Sequence, residues 1–210
     1  MDFKKIQLTG FKSFAEKTNF LIEHGLTGIV GPNGCGKSNI VESLRWVMGE
    51  TSAKSMRGSG MEDVIFSGTS NKPSKNIAEV SININNENKD GPMQYRDFEN
   101  IEIRRKIEKD KGSKFYINEK EVRARDAQMF FADLSTGAHS PSMISQGRIG
   151  ALVTAKPTDR RAILEEAAGI AGLHVRRHEA ELRLGAAETN LKRADELRRQ
   201  QEKQLANLKK

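Results

Sequence analysis

The eight residues Gly31-Pro32-Asn33-Gly34-Cys35-Gly36-Lys37-Ser38 constrain this chain more than any others. They fit G-x-x-x-x-G-K-[ST], the pattern of a loop that wraps a polyphosphate. An apolar run from Leu26 to Val30 leads in, and an apolar-periodic stretch (Ile40, Val41, Leu44, Trp46, Val47, Met48) leads out. The pattern therefore sits in a strand, loop, helix context. Glycines 31, 34 and 36 let the backbone turn so that successive N–H groups point inward, and the helix start adds its positive dipole end. Lys37 would reach the β- and γ-phosphates, and the Ser38 hydroxyl would complete the shell of a Mg²⁺ ion.

The chain around this loop is long enough, at 210 residues, to bury one core; 36% of it is hydrophobic and 30% charged. That charge fraction points to a part that is not globular. The excess of 35 Lys+Arg over 28 Asp+Glu gives a formal +7. Such a charge bears on affinity for polyanions and not on fold. One cysteine, Cys35, excludes an internal disulfide and agrees with a reducing compartment. No apolar run reaches the length of a membrane span, and the start lacks a signal peptide's apolar core, so a cytoplasmic location is expected.

In chain order, Phe3 to Leu8 and Ala15 to Ile22 read as two antiparallel strands beside the strand that enters the loop. After the loop's helix, Lys54 to Gly60 is rich in glycine and serine and carries Arg57. By composition it is a surface loop, with an arginine near phosphate or nucleic acid as the alternative. Ala78 to Ile84, Ile101 to Ile107 and Phe115 to Asn118 read as three antiparallel strands appended to the nucleotide core. Asn85 to Pro92, between the first two, reads as a polar connection with no structural demand. Positive charges gather around these strands: Arg104, Arg105, Lys106, Lys109, Lys111, Lys114, Lys120, Arg123 and Arg125. A one-faced basic cluster would bind phosphates without sequence preference; a strand edge guarded by charge is the alternative. Val122 to Leu134 has helical spacing.

Pro157-Thr158 opens a long helical segment, with Thr158 as N-cap and a bend expected at Gly169 and Gly172. Beyond it run two sevenfold rows, Leu184, Leu191, Arg198, Leu205 and Ala187, Ala194, Gln201, Leu208, offset by three. That is a coiled-coil seam, which needs a second helix.

The motifs Lys12-Ser13-Phe14, Gly31 to Asn39, Arg57-Gly58, Asp63-Val64-Ile65-Phe66-Ser67-Gly68, Ile144-Ser145-Gln146-Gly147-Arg148-Ile149 and Arg160 to Ile170 occur in this order. Together they resemble the N-terminal half of the head of bacterial SMC proteins, the structural-maintenance-of-chromosomes ATPases. The resemblance implies an α/β fold: the N-terminal lobe of an ABC-type P-loop NTPase, a mixed sheet plus an antiparallel β-subdomain, with an emerging coiled-coil helix. It divides the chain into a lobe, 1–168, and the start of the coiled coil, 169–210. The Walker B carboxylate, signature motif and switch histidine belong to a C-terminal lobe that the sequence does not contain.

The resemblance also implies roles. Pro32, Asn33, Gly34, Cys35, Gly36, Lys37, Ser38 and Asn39 would hold ATP, with Lys12, Ser13 and Asp63 near its adenine and ribose. Ser38 and Gln146 would hold Mg²⁺, with Gln146 also placing the attacking water. Arg57 would lie close to the nucleotide and link it to stimulation by DNA. Arg57, Arg123 and Arg125, with Arg104, Arg105 and Lys111, would meet DNA. The implied partners are the C-terminal lobe, a second SMC head, DNA, and a kleisin subunit at the neck, about Leu173 to Leu205. The implied activity is ATP hydrolysis that drives head engagement and DNA organisation, in the nucleoid.

Overall fold

A computed structural model describes residues 2–89, 91–134, 136, 143–144, 148–168 and 171–208. Its centre is a six-stranded sheet in the order β2-β1-β3-β4-β5-β6, formed by β1 (Asp2–Thr9), β2 (Thr18–Leu21), β3 (Ile77–Asn85), β4 (Asn100–Glu108), β5 (Gly112–Ile117) and β6 (Lys120–Val122). Every pairing in it is antiparallel. The three strands expected as an appendage are therefore continuous with the N-terminal pair, because β3 lies against β1 through the register Ile6↔Ile82 and Leu8↔Val80. Strand alternation sets one face inward, where Ile6, Leu8, Val80, Ile82, Ile84, Ile101, Ile103 and Ile107 are all buried.

Two helices cover that face. Helix α1 (Lys37–Val47) buries Ile40, Ser43, Trp46 and Val47, a stripe at helical spacing. Helix α2 (Ala124–Asp133) buries Ala127, Phe130 and Phe131. Trp46 packs against Phe11, ring centroids 5.4 Å apart, and so fixes α1 to the end of β1.

The C-terminus of α1 is closed by backbone and side chain together. Gly49 is left-handed (φ 105); its N–H bonds Trp46 O at 3.1 Å and that of Glu50 bonds Arg45 O at 3.1 Å, a Schellman closure. Gln128 of α2 donates to Gly49 O at 2.8 Å. Arg105 of β4, only 3% exposed, donates from Nη1 to Trp46 O and Glu50 O, each at 2.7 Å, and from Nε to Ser113 Oγ at 2.8 Å. Its guanidinium lies between the rings of Trp46 (4.5 Å) and Phe115 (4.7 Å). Burial lowers its pKa to about 10, partly opposed by Glu50, so the charge persists at neutral pH and faces the negative end of the helix dipole.

The connection from Asn86 to Glu99 also differs from its sequence reading. Asn86 is buried and donates from Nδ2 to the carbonyls of Tyr95 (3.2 Å), Arg96 (3.3 Å) and Phe98 (2.8 Å), while its Oδ1 accepts from Gly91 N–H at 3.0 Å. One amide thus satisfies a turn's worth of backbone that no strand reaches. Leu26 to Val30 is the reverse case. The run forms no strand, and Leu26, Ile29 and Val30 are exposed. Among the described residues no strand lies alongside it to accept its ladder hydrogen bonds.

Three helices follow: α3 (Arg148–Thr154), α4 (Pro157–Ala167) and α5 (Ala171–Leu208). Pro157, not the residue after it, opens α4, as suits a residue without an N–H at the first helical position. Thr158 therefore lies inside the helix and is not its cap. Of the two glycines at which a bend is expected, Gly172 lies within α5, and Gly169, with Ile170, lies outside the described residues. Helix α5 has 38 residues, about 57 Å of rise. Its seam leucines 184, 191, 205 and 208 are each more than half exposed.

Candidate functional site

The glycine-rich loop meets the sheet's covered face where α1 begins. Gly36 (φ 96) is the N-cap of α1 and Gly34 (φ 82) the turn before it, both left-handed. At Gly36 a Cβ would stand 2.5 Å from Ser13 Oγ, so both conformation and space exclude a side chain there. At Gly31 a Cβ would meet only Cys35 Sγ, the movable end of a side chain, at 2.8 Å, in a conformation open to other residues. Lys37 lies across the loop, its ammonium donating to Gly31 O (2.5 Å) and Pro32 O (2.6 Å). The site offers the first-turn N–H groups of α1, a lysine and the Ser38 hydroxyl. These are donors that fit a polyphosphate and, at Ser38, an oxygen that fits a magnesium ion. Ser38, Glu42, Arg57 and Ile144 border a cleft of about 280 Å³ beside the loop.

Around α1 the structure gathers residues far apart in sequence. Asn39 Nδ2 donates to Ser13 Oγ at 2.9 Å, and Arg57 Nη2 donates to Asn39 Oδ1 at 2.9 Å. Arg57 Nε and Lys12 Nζ each pair with one oxygen of the same carboxylate, Glu42, and Lys12 Nζ also donates to Met56 O at 2.5 Å. Arg57, 58% exposed, thus stands beside the start of α1 that follows the phosphate loop. The Lys12 side chain is 13% exposed and held by Glu42 and the Met56 carbonyl. Glu42 was missed from sequence; the available signal was an acid one turn after Ser38 in a stretch otherwise short of counter-charge.

Asp63 is bonded within its own loop. Its Oδ2 accepts from Ser59 N (2.7 Å), Ser59 Oγ (2.8 Å) and Gly60 N (3.0 Å). The Gly60 and Ser59 bonds hold its carboxyl below the usual carboxylate range. It shapes the loop that follows Arg57, and this is the work its oxygen does. Gln146, with Ser145 and Gly147, lies outside the described residues.

The basic residues do not share one face. Arg105 points to the core and is not available to a surface polyanion, so its assignment to DNA is withdrawn. Arg104, on the opposite side of β4, lies 4.7 Å over the Tyr116 ring and 3.8 Å from Glu79. Lys111 pairs with Glu108 at 2.7 Å, Lys114 with Glu121 at 3.1 Å and Arg123 with Asp126 at 3.3 Å. The surface alternates charge, and Arg123 and Arg125 project from the exposed start of α2.

Loop, capped helix and supporting sheet place the chain among P-loop folds, and comparison with known proteins narrows the class. Residues 2–148 match the family described as RecF/RecN/SMC N terminal domain, and the chain belongs to that family. A chromosome partition protein Smc from Rhodopseudomonas palustris is 55% identical over the whole chain, and one from Cereibacter sphaeroides is 56% identical over 94% of it. The chain spans 18% and 17% of the lengths of these two relatives. Among solved structures, an Smc head domain with an extended coiled coil, bound to the C-terminal domain of ScpA and derived from Pyrococcus furiosus, is 34% identical with a TM-score of 0.74. That match covers 93% of this chain and 48% of that one. A structure from work on ATP-driven dimerization and DNA-stimulated activation of SMC ATPases is 33% identical, TM-score 0.68, covering 80% of this chain and 99% of that one. The fold is that of SMC heads, ABC-type P-loop ATPases, in its N-terminal portion with the emerging coiled-coil helix.

Proposed function

We propose that this chain is one wall of an interfacial ATP site in a chromosome-organising SMC ATPase. The observation that carries the reading is the geometry of the loop: two left-handed glycines, a lysine lying across it and a hydroxyl at the first turn of α1. Residues 32 to 39 hold the phosphates of ATP, with Lys37 turning from the Gly31 and Pro32 carbonyls to the β- and γ-phosphates. Ser38 and Gln146 would hold Mg²⁺, which would supply charge neutralisation on the phosphates, and Gln146 would orient the attacking water. Ser13, against Gly36, borders the nucleotide; Lys12 and Asp63 support the walls of the site. Residues 1–168 are the lobe and 169–210 the start of the coiled coil.

The site is completed by a C-terminal lobe of the same protein, whose strand would cover the exposed Leu26–Val30 run, and by a second head. Hydrolysis then couples head engagement to DNA loading in the cytoplasm, on the nucleoid. A kleisin subunit packs along the exposed α5 seam between about Leu173 and Leu205. Arg57, Arg123 and Arg125, with Arg104 and Lys111 at the margin, meet the DNA backbone. Calorimetric titration with MgATP tests the nucleotide reading: saturable binding that Lys37→Ala removes is expected, and equal binding by that variant would overturn it.

A further inference from the structure

Glu42 holds a position that the phosphate loop alone does not require. It is on α1, one turn beyond Ser38, and is 9% exposed. Its two carboxylate oxygens are divided between cations from separate segments, Lys12 from the turn after β1 and Arg57 from the turn at Met56. Both cations sit at left-handed backbone positions, φ 47 at Lys12 and φ 55 at Arg57, a conformation that is unfavourable for residues with a Cβ. Backbone hydrogen bonds hold both turns, Lys12 N–H to Val64 O at 2.7 Å and Arg57 N–H to Lys54 O at 3.0 Å, and the Glu42 carboxylate joins the side chains that leave them.

The two ion pairs are not equivalent. Lys12 and Glu42 have side chains 13% and 12% exposed, so that pair is largely removed from solvent and fixed. Arg57 is 58% exposed, so its pair is screened and open to exchange. The solvent-facing member of the trio is the Arg57 guanidinium, which also donates to Asn39 in the first turn of α1.

We infer that Glu42 is the positioning residue for Arg57: it holds the guanidinium beside Asn39 and Ser38 so that the arginine meets a phosphate-bearing partner already in place. The inference rests on the reading of Arg57 as a residue of the nucleotide site. Without Glu42 the long side chain keeps only Asn39 and must be ordered at each encounter, and an arginine carries considerable rotamer entropy.

The test uses a full-length SMC polypeptide with this sequence as its N-terminal segment, and reads ATP turnover with and without duplex DNA. Glu42→Gln should lower the DNA-stimulated increment about tenfold, as an unordered arginine would, and Arg57→Ala should lower it at least as far. The double variant should be no lower than Arg57→Ala alone, since Glu42 acts through Arg57. Glu42→Asp should keep most of the increment, because lysine and arginine can extend to follow a shorter carboxylate. Arg57→Lys keeps the charge but replaces the planar fork, whose Nε pairs with Glu42 while Nη2 bonds Asn39, with a single ammonium nitrogen; it should fall with Arg57→Ala and reads the same contact without touching a buried residue.

An increment lost in Arg57→Ala but retained in Glu42→Gln or Arg57→Lys overturns the positioning role and leaves the nucleotide-site reading standing. A double variant that falls multiplicatively below both singles overturns it too. An increment unchanged in Arg57→Ala overturns the assignment of Arg57 itself, and the inference with it.

Discussion

Replacing Arg105 by alanine should destabilise the protein by about 3 kcal/mol, and the number follows from what the truncation leaves behind. Three hydrogen bonds from a charged donor contribute about 1.5–3 kcal/mol each, while desolvating a guanidinium costs several kcal/mol, so the charge itself is close to neutral in net effect. What remains is the Glu50 carbonyl without the guanidinium, the Trp46 carbonyl left with its bond from Gly49 N–H, and a hole between the Trp46 and Phe115 rings. A buried carbonyl robbed of its donor costs about 1–3 kcal/mol, and the lost packing about 1–2 kcal/mol more. Arg105→Met, which refills much of the volume, should cost about half as much. Urea unfolding of both variants measures the difference, and amide exchange within α1 should rise in parallel, because Arg105 ties the end of that helix to the sheet. A loss below about 1 kcal/mol for the alanine variant, with α1 exchange unchanged, would refute the anchoring role.

Asn86→Ala should cost about 2 kcal/mol through the four backbone partners it strands, and exchange protection from Gly91 to Phe98 should fall with it. Asp63 has a depressed folded pKa, so its contribution to the loop after Arg57 is present above the usual carboxylate range and is lost as pH falls through the folded value. A carboxyl-carbon NMR titration should find Asp63 titrating below the other exposed aspartates, and Asp63→Asn should remove the acid transition of that loop. Reversing Arg123 and Arg125 to glutamate should flatten the salt dependence of duplex binding by roughly one unit of slope per lost contact. An unchanged slope would leave α2's basic start as a solvated face.

The phosphate loop was legible because its chemistry is carried by eight contiguous residues whose glycines and lysine have fixed roles. Strands β1 to β5 were legible in the sequence, as was the seam of α5 from its sevenfold rows, whereas the three-residue β6 was too short to show a pattern. What spacing could not show was the set of contacts made across the chain. Glu42 meets Lys12 from 30 residues away, and Arg57 reaches Asn39 from 18. Arg105 is instructive because the signal was present: it shares parity with Ile101, Ile103 and Ile107 on β4, so strand geometry alone turns it toward the core. Its position within Arg104-Arg105-Lys106 made it look like part of a surface cluster. Leu26 to Val30 failed the other way, since an apolar run makes a strand only where a neighbour supplies the ladder. Asn86 was read as polar filler because a single buried amide leaves no periodic trace.

Turnover is the most direct test of the claim that this chain is one wall of a shared ATP site. Under saturating MgATP the 210-residue chain alone should bind nucleotide with negligible hydrolysis, and hydrolysis should appear when a C-terminal lobe polypeptide is added and disappear again with Lys37→Ala. Steady hydrolysis by the chain alone, abolished by Lys37→Ala, would contradict the account.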